Sequence, residues 1–256
     1  SGARQLSSML PIRDHNPSRH TPFVTYALIA INVVVFLSYW PLFADPRELN
    51  LFFYEWALVP ALVSEQGTWS TMATSMFLHG GWMHLAGNML FLWIFGDNLE
   101  DEMGHVGYLA FYLASGIGAA AAHMISAPYS PVPTVGASGA IAGVMGGYLL
   151  MFPKARVDVL LFFVFIIRII PVPAWIMLCL WFGLQLFSSI GADPMAGGVA
   201  YWAHAGGFMI GMILTVPLFL RRGGPRFWRS TDGHPPHPEA SYTYRRTDIP
   251  RVRRRR

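Results

Sequence analysis

Thr134-Val-Gly-Ala-Ser-Gly-Ala-Ile-Ala-Gly-Val-Met-Gly-Gly-Tyr148 sets one serine between glycines at the head of an apolar run. Such a stretch is either a glycine face on which a second helix packs or the entry of a helix that presents a nucleophile. The segment before it, Ser126 to Val135, carries three prolines. It cannot continue a helix, so the chain reaches the Gly136 to Phe152 run through a loop. Of the 256 residues, 54% are hydrophobic and 12% charged, with a mean hydropathy of +0.40. The apolar residues fall in long blocks, which excludes an ordinary soluble domain and predicts a polytopic membrane protein.

Six blocks are long enough to be read as spans: Thr21 to Phe43, Leu78 to Phe95, Val106 to Ile125, Gly136 to Phe152, Ala174 to Ile190 and Tyr201 to Leu220. At about 1.5 Å per residue, roughly 20 residues cross a hydrocarbon core of about 30 Å. Residues 44–77 mix charges, prolines and amphipathic pieces and read as an interfacial loop. An acidic turn, Asp97 to Glu102, separates the second and third spans. The apolar segment Val157 to Ile170 contains Asp158 and Arg168 and is short, so it is expected to be interfacial or half-buried rather than spanning. Excluding it puts both basic termini, with Lys154 and Arg156, on one side, as the positive-inside rule prefers.

The organisation expected is therefore a polar cytosolic segment 1–20 that is not a cleavable signal peptide, an all-α membrane domain 21–220, and a basic, disordered cytosolic tail 221–256. The formal charge is +4, and 11 of the 18 Lys and Arg residues lie from Arg221 onward. That placement points to membrane lipids and not to nucleic acid as the partner of the basic residues. The single cysteine, Cys179, sits in an apolar run and reads as a packing residue.

Four polar residues stand inside apolar blocks: His84 and Asn88 in the second span, Ser138 heading the fourth, and His204 heading the sixth. Such groups are costly in a membrane and are functional candidates by default. Each alone is more often a packing or hydrogen-bonded structural residue. Counted along helices, however, Ser138 and His204 both fall roughly 20–25 Å from the inner edge, a few ångströms below the outer one. Gly139, Gly143 and Gly147 on one helix and Gly207 and Gly211 on the other recur every four residues, as small-residue faces that let backbones approach in lipid. If those faces meet, His204 can take the Ser138 hydroxyl proton. His84 and Asn88, at i and i+4, share one helix face and can serve an oxyanion together with the Ser138 backbone N–H. His123, near the end of its span, reads as interfacial.

Gly136-Ala-Ser138-Gly139, with His84-x-x-x-Asn88 upstream and Ala203-His204-Ala-Gly-Gly207-x-x-x-Gly211 downstream, resembles the rhomboid intramembrane serine proteases over about residues 21–220. The resemblance implies a six-helix bundle and a Ser138–His204 dyad without a carboxylate. It further implies His84 and Asn88 at the oxyanion site, no cofactor or metal, and cleavage of transmembrane protein substrates near the outer face. The chain departs from some relatives in having Ala142, not an aromatic residue, one turn after the serine, which leaves open what orients His204. It also lacks the Trp-Arg pair of some first loops. Asp193 is a weak third candidate beside the histidine. The connection Gly191 to Ala200 is expected to be a mobile cap and the fifth span a lateral gate. Two other classes compete: a non-catalytic rhomboid-like protein that binds membrane clients, and a small transporter, which the lack of an internal repeat and of an intramembrane carboxylate disfavours. With no organellar presequence in these residues, a bacterial plasma membrane is the expected location.

Overall fold

The computed structural model describes residues 8–163, 166–191 and 199–240. The helices of the bundle are α1 (Phe23–Tyr39), α5 (Trp82–Met103), α6 (His105–Ser126), α7 (Ser138–Met151), α8 (Ala174–Gly191) and α9 (Tyr201–Arg221). Each overlaps one of the six blocks read from the sequence, with α5 shifted toward its C-terminal end. By length and composition three described segments, Phe23–Ala44, His105–Ser126 and Tyr201–Arg221, suffice to cross a membrane, while α7 and α8 are shorter apolar helices. Between α1 and α5 a 3-10 turn (Trp40–Ala44) leads into three short helices, α2 (Pro46–Trp56), α3 (Pro60–Gln66) and α4 (Thr71–Thr74). This is the stretch expected at the interface. Asp45 starts α2 by accepting the amides of Arg47 and Glu48, as an N-cap carboxylate does.

α7 is the central post. Its residues Gly139 to Tyr148 are all buried, enclosed by α5, α6, α8 and α9. The glycines make this possible. A Cβ added at Gly146 would lie 2.1 Å from the Phe208 carbonyl oxygen, and one at Gly207 would lie 2.2 Å from that of Gly139. α7 and α9 therefore touch backbone to backbone. All three glycines read from the sequence meet α9: Gly139 and Gly143 lie against the backbone of Ala203 and Gly207, and Gly147 against the side chain of Thr215, with Gly146 adding a second backbone contact at Phe208.

Three expectations need correction. The acidic turn between the second and third spans is not a turn: α5 runs through it to Met103 and ends at Gly104, whose φ of 73° a side chain would strain. The carboxylates are stable there because backbone donors meet them. Glu100 accepts the Val24 and Thr25 amides at 2.8 Å each and the Thr25 hydroxyl at 2.7 Å, capping α1, whose own N-cap, Pro22, offers no side-chain acceptor. Asp101 accepts the amides of Arg19 and His20, and Glu102 pairs with Arg222 at 2.7 Å.

The segment Val157 to Ile170, expected to be interfacial or half-buried, is a β-hairpin. Strands β2 (Arg156–Phe163) and β3 (Ile166–Pro173) pair antiparallel, and β1 (Ser8–Asp14), in the N-terminal polar segment, adds to β2 in the order β1-β2-β3. A run rich in Val and Ile between prolines favours extended backbone. The pairing supplies the backbone partners that a lone interfacial strand would lack. Asp158 on β2 clamps β1 through Arg13 Nη2 at 2.5 Å and His15 Nε2 at 2.6 Å.

The tail expected to be disordered is folded against the bundle in its described part, residues 222–240. A short helix, α10 (Pro225–Thr231), buries Phe227 and donates the Trp228 indole N–H to the Leu150 carbonyl at the end of α7. Beyond it the Ala240 amide donates to the His15 carbonyl. Both terminal segments thus meet at one end of the bundle, and residues 241–256 lie outside the described part.

Candidate active site

Ser138 is the first residue of α7, and local backbone geometry puts it there. Gly136, at φ 132°, adopts a conformation that L side chains rarely take. Its amide donates to the Ser75 carbonyl at 3.0 Å, and Thr134 exchanges both backbone hydrogen bonds with Leu58. His123 Nε2 lies 3.1 Å from Thr134 Oγ1. The Pro-rich segment is thereby pinned to the connection between α1 and α5 and to α6 before it turns into α7. The first amides of α7, that of Ser138 among them, have no acceptor within the helix and point toward the entry.

His204, in the first turn of α9, places Nε2 2.7 Å from Ser138 Oγ. Its other ring nitrogen, Nδ1, lies 2.8 Å from Gln185 Oε1 on α8. The Trp181 indole, one turn earlier on α8, sits beside the imidazole at a ring-centroid distance of 5.9 Å.

His84 accepts the Gly80 amide on Nδ1 at 3.2 Å, which leaves Nε2 as the protonated, donating nitrogen. That nitrogen is near the serine: a Cβ on Gly136 would be 2.8 Å from His84 Nε2 and 3.4 Å from Ser138 Oγ. A side chain at position 136 would therefore fill the gap between them. Asn88, one turn further along α5, is 7% exposed, and its Nδ2 finds no hydrogen-bond acceptor. A buried, unsatisfied amide donor is costly unless something occupies the space in front of it.

All four residues line one cavity of about 540 Å³. Pro133, Thr134 and Val135 form one wall, as expected of the Pro-rich segment, and Met72, Met76, Ala119 and Ala120 supply an apolar floor. The cavity lies at the end of the bundle opposite the two terminal segments, since α5, α7 and α9 all start at it and end near them. Among the described residues no group of His, Cys, Asp and Glu could hold a metal ion. Asp193 and most of the Gly191 to Ala200 connection lie outside the described residues. Gln185 and Trp181 were missed in the sequence. Gln185 is a polar residue within an apolar block, and the criterion that singled out the other four applies to it equally.

Residues 66–221 match the family model of the rhomboid domain. Over 204 residues, 76% of this chain, it is 32% identical to rhomboid protein 1, mitochondrial, of Saccharomyces cerevisiae, covering 53% of that protein. It is also 32% identical over 154 residues to rhomboid protease AarA of Providencia stuartii, 53% of each chain. With rhomboid protease GluP of Bacillus subtilis it shares 43% identity over 84 residues, 33% of this chain and 16% of that one. The matched stretches thus span about half or less of these relatives' lengths. The family model covers well over half of this chain, from the end of α3 to the end of α9, so the chain belongs to the rhomboid family of polytopic integral membrane proteins.

Proposed function

We propose that this chain is an intramembrane serine endopeptidase whose six bundle helices all cross the bilayer. The observation that carries the reading is the 2.7 Å contact between His204 Nε2 and Ser138 Oγ, both of which line the cavity of about 540 Å³. A hydroxyl at its free pKa is a weak nucleophile, and an imidazole in hydrogen-bond reach is what activates it. Ser138 Oγ attacks the scissile carbonyl carbon while its proton passes to His204 Nε2. The carbonyl oxygen, now negative, faces the Ser138 amide at the positive end of α7, with Asn88 Nδ2 and His84 Nε2–H as further donors. His204 then gives its proton to the leaving amine. A water, deprotonated by the same nitrogen, frees the acyl group from Ser138.

The substrate is a transmembrane segment of another protein. Its helix hides the scissile carbonyl in its own hydrogen bonds, so residues that loosen a helix, Gly or Pro, favour cleavage. The N- and C-terminal segments, which meet at the far end of the bundle, lie on the cytoplasmic side of a bacterial plasma membrane. The side of the membrane follows from the chain's charge pattern; relatives are named from a mitochondrion and a chloroplast as well as from bacteria. A fluorophosphonate probe tests the reading: it labels the wild-type protein in detergent and leaves Ser138→Ala unlabelled. A chain that binds membrane clients without cutting them leaves both unlabelled.

A further inference from the structure

The base of this site is held by α8. Gln185 Oε1 meets His204 Nδ1 at 2.8 Å, and Trp181, four residues before it, flanks the same ring with the two planes tilted by 33°. Residues four apart share one helix face, so a single face of α8 grips the imidazole at its edge and beside its plane. α7 offers no such support, because the position one turn after Ser138 is Ala142, fully buried and without a ring. The hydrogen bonds of the His204 side chain run to Ser138 and Gln185.

A neutral imidazole has one N–H and one lone pair. Only the tautomer protonated on Nδ1 presents a lone pair from Nε2 to the serine hydroxyl. An acceptor at Nδ1 selects that tautomer and stops the ring from turning. We propose that Gln185 is the positioning residue of the site, its side-chain carbonyl accepting the His204 Nδ1–H so that α8, not α7, sets the general base. An amide suits this depth better than a carboxylate. It accepts the same hydrogen bond and favours the imidazolium formed during acylation, yet it places no extra charge in the membrane between turnovers. The Trp181 face limits the remaining rotation.

The inference rests on the protease reading, and the experiment separates the two. Fluorophosphonate labelling rates and the kcat and KM of a model transmembrane substrate are measured in detergent for wild type, Ser138→Ala, Gln185→Met and Gln185→Glu. Gln185→Met keeps length and volume but loses the acceptor, whereas Gln185→Glu keeps an acceptor oxygen. Loss of one positioning hydrogen bond is expected to slow labelling and kcat together by about 10- to 100-fold. KM stays within about twofold, and Gln185→Glu recovers to within about fivefold of wild type. A packing role alone would lower thermal stability without this split. Gln185→Leu is read in the same way if Gln185→Met does not accumulate as folded protein. Gln185→Met reacting at the wild-type rate, or Gln185→Glu as slow as Gln185→Met, overturns the inference while labelled wild type keeps the protease reading. A wild type that never labels sinks both.

Discussion

A Cβ at Gly211 of α9 would stand 2.1 Å from the carbonyl oxygen of Gly143 on α7 and 2.3 Å from its Cα. Backbone, unlike the end of a side chain, cannot step aside locally, so any larger residue pushes the helices apart along their length. Ser138 and His204 are on these two helices, each near its start. Gly211→Ala is therefore expected to cost about 1–3 kcal/mol and to slow Ser138 labelling, although Gly211 touches neither residue. Thermal unfolding and probe labelling check this, and a folded Gly211→Ala labelling at the wild-type rate would show that the helix contact does not set the site.

Glu100 does the work of an N-cap for α1 from another helix. It is 1% exposed and meets two amides and a hydroxyl of the first α1 turn. Glu100→Ala leaves these donors buried without an acceptor, at a cost of about 2–3 kcal/mol. The drop should appear in thermal unfolding, with the folded fraction still labelling at Ser138. An unchanged melting temperature would contradict the capping role.

The strand clamp predicts a pH dependence. Burial pushes the Asp158 carboxyl up, but hydrogen bonds and charge from His15 and Arg13 outweigh it and hold the group below its ordinary value of 3.8. A depressed carboxyl contributes stability that is present above the unfolded pKa and is lost as pH falls through the folded one. Protection of residues 8–14 from amide exchange, corrected for intrinsic rates, should thus stay level down to about pH 4 and decline below it. Asp158→Asn should show weaker protection throughout and no such decline; a decline of equal size in that variant would assign the effect elsewhere.

Asn88 offers a buried donor with nothing to donate to in the free protein. If it meets the oxyanion, Asn88→Ala lowers kcat by up to about 10²- to 10³-fold, and less where His84 Nε2–H and the Ser138 amide compensate. Substrate affinity should change little. Unchanged kcat with a raised KM would instead make Asn88 a residue that binds substrate before the reaction.

Much of the site was legible because a membrane makes polar residues conspicuous. Ser138, His204, His84 and Asn88 each interrupt an apolar block, and each lines the one cavity. The glycine stripe was legible from helical spacing, since Gly139, Gly143 and Gly147 all face α9; Gly146, which meets the Phe208 backbone, falls outside that spacing and was missed. Gln185 shows where attention to motifs failed, since it belongs to none and acts through a helix 19 residues earlier in the chain than its partner. The acidic stretch of α5 misled because charge alone reads as solvent-exposed turn. The packed N-terminal segment supplies the Ser18 amide to Asp97 and the Arg19 and His20 amides to Asp101, and the first turn of α1 supplies those of Val24 and Thr25 to Glu100, which lets these carboxylates stay in a helix. The hairpin after α7 and the docked α10 were hidden for a related reason. Strand pairing with residues 8–14 and burial of Phe227 are long-range contacts, and local periodicity carries no record of them.

By itself the sequence determined the helical blocks, the loop entry to Ser138 and the identity of the four polar residues, since hydropathy, proline and the cost of burying polarity act locally along the chain. The tertiary structure alone decided that Ser138 and His204 touch, that the Gly80 amide meets His84 Nδ1, and that Gln185 of α8 meets the other nitrogen of the His204 ring. Those depend on how closely helices approach, which is set by steric contact between residues far apart in sequence.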